Sequence, residues 1–146
     1  MALVLVSGAA VSSACGGSAG GGLDSVPEGE WGGRGVALSV RATGSDVQFD
    51  CAHGAITVPL NIESDGTFRA AGYFVQEHGG PAREDEQEDQ RPATYSGSSD
   101  GRQIRFSIAL TEEGQTLGPF AATLDAPPQL FRCLTFLDPG TTGGAP

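Results

Sequence analysis

The chain has 146 residues, with 18 Asp and Glu against eight basic residues, all arginine, and a formal net charge of −10. Neutralising phosphate requires a basic surface, so this balance argues against a nucleic-acid partner and against lying flat on anionic lipid. Acidity instead keeps an exported domain soluble.

Residues 2–11, Ala-Leu-Val-Leu-Val-Ser-Gly-Ala-Ala-Val, are apolar. They are too few to span a bilayer, which takes about 20, and they suit the apolar core of a secretory signal. Small residues then lead to Cys15 and a glycine run, Gly16–Gly22. The segment resembles the end of a bacterial lipoprotein signal, where a cysteine in this place is acylated. Ser12 departs from that pattern, which usually has an apolar residue there. The resemblance implies a signal over residues 1–15, lipidation of Cys15, and an exported chain held at the cell envelope through its lipid alone. Residues 16–28 then read as a flexible tether. An ordinary cleaved signal with a free Cys15 is the alternative.

Beyond the tether, period two governs the chain. Val36, Leu38 and Val40 alternate first, and Thr43-Gly44-Ser45-Asp46 turns. Val47, Phe49 and Cys51 follow, and His53-Gly54 breaks the run. The third strand is expected at Ile56, Val58, Leu60 and Ile62, before a Ser64-Asp65-Gly66 turn. Phe68 to Val75 is the fourth, and Ala93 to Gly97 a weak fifth. Ile104, Phe106, Ile108 and Leu110 give the sixth, with the cleanest alternation. Phe120, Ala122 and Leu124 mark a seventh, and Gln129 to Thr135 an eighth after Pro127-Pro128.

Short strands with Gly-containing turns, and no helical stripe, predict an all-β fold. Short connections make neighbours antiparallel. The expectation is a single domain over residues 29–137, an eight-stranded antiparallel up-and-down β-barrel, followed by a tail over residues 138–146. Pro59 and Pro119 lack the donor a ladder needs, so each belongs at an edge or bulge. A partly open or flattened barrel is therefore the alternative. The inward positions are mostly Leu, Ile, Val and Phe, which predicts a filled interior rather than a roomy cavity.

Cys51 and Cys133 account for the remaining thiols as one disulfide, between the second and eighth predicted strands. Without a Cys-x-x-Cys, and with both in apolar runs, the pair reads as structural rather than redox-active.

Gly29-Glu30-Trp31 precedes the first predicted strand. It resembles the Gly-x-Trp opening of calycin-like barrels, the group of lipocalins and avidin. The resemblance implies that Arg132 packs on Trp31 at one barrel end through a cation–π contact, and that the barrel carries a small apolar ligand. The plan is also similar to that of bacterial metalloprotease inhibitors, which implies a mobile segment, here Leu23 to Glu30, entering a protease cleft. Small bacterial lipoproteins share the same outline.

The longest connection carries His78, Gly79, Gly80 and Pro81, then Glu84, Asp85, Glu86, Glu88 and Asp89. Long loops hold binding function more often than short ones, so these nine residues form the candidate binding loop. The run lacks the spaced ligands and central glycine of a calcium hand. His53 and His78 do not assemble a zinc site with Cys51 oxidised, so no metal and no cofactor are expected. Tyr95-Ser96-Gly97-Ser98 reads as a strand end rather than a nucleophile elbow, and phosphate loops and dinucleotide fingerprints are absent. The sequence thus predicts a non-catalytic interaction or scaffolding module at the cell envelope. Its partner is an envelope protein or, as the alternative, a small apolar ligand; protease inhibition is the third possibility.

Overall fold

The computed structural model describes residues 22–79, 83–131 and 133. Cys15, Gly80, Pro81, Arg132, the signal and the tail lie outside these residues.

Eight strands close into one barrel in chain order, each antiparallel to the next. They are β1 (Gly29–Gly33), β2 (Val36–Arg41), β3 (Gly44–Phe49), β4 (Ala52–Ile56), β5 (Thr67–Gln76), β6 (Gln90–Ser99), β7 (Gln103–Leu110) and β8 (Gln115–Leu124). The all-β barrel expected from the alternation is present, and it is closed. Two of its eight strands, β1 and β4, lie outside the expected alternation. β1 was read as lead-in, because Gly-Glu-Trp-Gly-Gly offers one apolar side chain and no alternation. It pairs with β2 along its whole length and with β8 through Trp31–Leu124 and Gly32–Thr123, which closes the ring. The expected eighth strand at Gln129–Thr135 is a correction. Among its described residues only Gln129 forms a bridge, a single parallel one to Arg34. Pro127 and Pro128 supply no donors to a ladder there, and the seam is already taken by β1.

The third predicted strand is also shifted. Alternation over Ile56–Ile62 falls on a crossing segment after β4, where Val58 is exposed and Leu60 buried. Pro59 lies in that segment, outside the ladder. Pro119 sits at a bulge in β8, where the register against β7 slips between Phe106 and Ile108. Gly118 just before it has φ +108°, a conformation glycine tolerates, and the Gly118–Pro119 bond is cis.

The interior is filled. Trp31, Leu38, Val47, Tyr95, Ile104 and Ile108 are essentially inaccessible to solvent. Inward side chains of β7 (Ile104, Phe106, Ile108, Leu110) are all buried, as period two demands. Tyr95 hydroxyl donates to the Tyr73 carbonyl (2.8 Å), so the one phenol in the core is satisfied.

Candidate functional site

The meander gives the barrel two unlike ends. One holds the turns at 42–43 and 100–102 and the crossing segment 57–66. The other holds the turns at 34–35, 50–51 and 111–114 and the connection 77–89.

The first end is covered. Val26 N donates to the Leu60 carbonyl (2.9 Å) and Ile62 N to that of Asp24 (2.9 Å). Val26 and Leu60 both enter the core. Trp31 lies beneath them, its indole N–H donating to the Pro27 carbonyl (3.1 Å). Residues 23–27, read from sequence as tether or as an inhibitory arm, are therefore packed on the barrel rather than projecting from it. Leu23 lies over the 100–102 turn, in reach of a side chain at Gly101.

The second end opens on an aromatic recess. Phe49 ends β3, Phe74 lies near the end of β5, and Phe120 stands beside the β8 bulge. Alternation aims all three inward at this end. Ring centroids are 5.8 Å apart for Phe49–Phe74 and 4.7 Å for Phe49–Phe120. Leu117 and Phe131 complete the apolar wall, and Arg34, Asp50 and Gln76 are its polar members. The recess has a volume of about 560 Å³. Phe131 remains 68% exposed, the most exposed of the large apolar residues among those described.

Phe131 is held there by a strap, the segment that follows β8. Asp125 turns the chain with φ 59°, its N–H donating to the Glu30 carbonyl (2.8 Å). The strap then crosses Gly32, where a Cβ would meet the Ala126 carbonyl at 2.1 Å. Gln129 exchanges hydrogen bonds with Gly33 and Gly35 (2.9 and 2.8 Å). Asp50 fixes the end of the strap: its carboxylate accepts from Phe131 N (2.8 Å) and its carbonyl from Cys133 N (3.1 Å). The Cys51–Cys133 disulfide lies beside these bonds, with Cα atoms 5.1 Å apart. It thus ties the β3–β4 turn to the strap, not two strands to each other as the sequence suggested.

The acidic connection flanks the recess at Gln76. A second cleft of about 360 Å³ is lined by both histidines and by Glu77, Glu86 and Glu88. His53 Nδ1 lies 2.7 Å from Glu77 Oε1, and Nε2 lies 3.7 Å from Glu88 Oε1. His78 pairs with Glu86, whose carboxyl is held below its ordinary range by that bond and by the Arg83 N–H. Arg91 is held by Asp89 and Glu113 (3.0 Å each). His53 was read as a turn residue; it belongs to β4 and pins the connection through Glu77. The antiparallel pairing of β4 with β5, which sets His53 opposite Val75, brings the two together, and no spacing in the sequence marks it.

Of the predicted site residues, His78, Glu86, Glu88 and Asp89 come together in this cleft, and Glu84 and Asp85 lie beside them on exposed turn positions. Trp31 and the aromatic recess are at different ends of the barrel. Among the described residues no group of His, Cys, Asp and Glu has metal-ligating geometry. Among the described residues no hydroxyl and no free thiol lines either cleft. What the end offers is an apolar recess beside a connection dense in negative charge. Compared with known proteins, the chain matches no family model, no curated protein and no solved structure.

Proposed function

We propose that this chain is a non-catalytic interaction module, exported and held at the cell envelope through a lipid on Cys15, that meets a partner with the disulfide end of its barrel. One observation carries the proposal: the aromatic recess and the acidic connection share one end, while the N-terminal segment covers the other. A tether leaving from Leu23 starts at the covered end, which leaves the open end free to meet a partner. Apolar anchors ringed by polar groups are the usual make-up of recognition surfaces.

The test is site-specific photo-crosslinking in the native envelope, with the probe at Glu84 or Phe131 at one end and at Thr43 or Ser64 at the other. Adducts to one protein are expected from the first pair only. Adducts confined to Thr43 and Ser64 would refute the assignment of the recognition end. Mass spectrometry of the N-terminal peptide should find a diacylglycerol on Cys15, and a bare thiol there removes the anchor.

The recess favours a second reading, carriage of a small apolar ligand in the manner of calycins. Its volume lies inside the roughly 300–1,000 Å³ usual for ligand pockets. Native mass spectrometry of protein purified from its host separates the two, since a carrier retains a small molecule that denaturation releases.

A further inference from the structure

The recess and the charge around it are specific enough to describe the partner. Among the described residues, nine carboxylates sit on the connections of the open end: six on 77–89, two on 111–114, and Asp50. Among the described residues Arg34, Arg83 and Arg91 oppose them there, and Arg91 is already engaged by Asp89 and Glu113. Half of all the acidic residues in the chain therefore lie on the connections of the end that holds the aromatic recess, whose own lining carries Asp50 and Arg34. A low-dielectric wall beside charge of one sign focuses the field and selects ligands of the opposite sign. The floor itself is made of phenylalanine rings, which an apolar side chain covers without leaving a polar group unpaired.

Resting on the interaction-module reading, we infer that this end docks a basic peptide segment of a partner protein that presents one bulky apolar side chain. The side chain enters the recess between Phe49, Phe120 and Phe131. The flanking cations face the carboxylates of the 77–89 and 111–114 connections. An anionic membrane surface is repelled by the same charge, and an acidic partner likewise.

Short dye-labelled peptides test this by fluorescence anisotropy with the full-length, disulfide-bonded chain. The first alternates Arg with Gly and Ser around a central Trp; the second has Ala for Trp; the third keeps Trp and has Glu for every Arg. The Arg–Trp peptide is expected to bind, and Trp→Ala to weaken it about tenfold, the worth of one buried aromatic side chain. Raising salt to about 1 M, where the Debye length is near 3 Å, weakens it further. The Glu peptide should not bind. Phe131→Ser, at an exposed position that leaves the core intact, should bring the Trp peptide down to the affinity of the Ala peptide.

Equal affinities for the Trp and Ala peptides would overturn the proposal, as would tight binding of the Glu peptide. Binding that appears only after deletion of residues 134–146 would assign the recess to the chain's own tail. Binding that appears only after extraction of a co-purified small molecule would assign it to that molecule. Either result overturns the peptide proposal. If these peptides fail while photo-crosslinks still form from Glu84 and Phe131, the partner chemistry is wrong and the recognition end stands.

Discussion

Gly54 and Tyr95 illustrate how single residues set this interior. A Cβ at Gly54 would stand 2.2 Å from the Tyr95 hydroxyl and 2.5 Å from the Tyr73 carbonyl that the hydroxyl bonds. The glycine makes the space in which a buried phenol finds an acceptor, and burial in turn raises the Tyr95 pKa strongly. Tyr95→Phe is expected to cost about 1 kcal/mol, the net worth of a typical buried hydrogen bond. Gly54→Ala should cost more, because it displaces the ring as well. Urea denaturation orders the two, and equal midpoints for Gly54→Ala and wild type would refute the steric argument. At the covered end, the Asp100 carboxylate accepts from Arg102 N and Gln103 N (2.8 and 2.7 Å), and these bonds lower its pKa below 3.8. A lowered carboxylate pKa contributes stability above its unfolded value, and that contribution is lost as pH falls through the folded value. Asp100→Ala should therefore melt below wild type at pH 7. The gap should begin to narrow near pH 3.8 and close at lower pH. A gap that persists in strong acid would show that the carboxylate charge is not what stabilises the turn.

At the scale of elements, the alternation read from sequence located six strands near their true places: β2, β3, β5, β6, β7 and β8. β7 was the easiest to read, since Ile104, Phe106, Ile108 and Leu110 all face a core that excludes water. β1 was hidden by its glycines. Gly33 exists because the β8 backbone passes so close that a Cβ would stand 1.9 Å from the Ala121 carbonyl. Close approach of that kind leaves no hydrophobic pattern to read. The strap shows the reverse error. Its apolar residues mimic a strand, but Phe131 lines the recess instead of entering a ladder. With Cys51 and Cys133 82 positions apart in sequence, the disulfide is worth roughly 4 to 5 kcal/mol in the chain-entropy model. Cys133→Ser is expected to lower stability by about 2 to 5 kcal/mol through the denaturant midpoint. An unchanged midpoint would mean that the strap's hydrogen bonds hold it without the disulfide.

For the whole molecule, the decisive property is the difference between its ends. Composition made the acidic connection visible, because five carboxylates in six residues need no fold to be noticed. The aromatic recess was invisible, because Phe49, Phe74, Phe120 and Phe131 come from four separated segments. In the sequence each of the first three is merely one more inward position. Only ring closure brings them within one opening, and only the strap adds Phe131. What the sequence determined by itself was the local part: extended segments, their antiparallel order, and a dry interior. Side-chain period and short turns dictate these, and both are properties of neighbouring residues. Tertiary structure alone decided where the seam closes, which end is covered, and which residues share a surface. Those depend on backbone approach between β1 and β8 and on the strap's return across Gly32, contacts between residues some 90 positions apart.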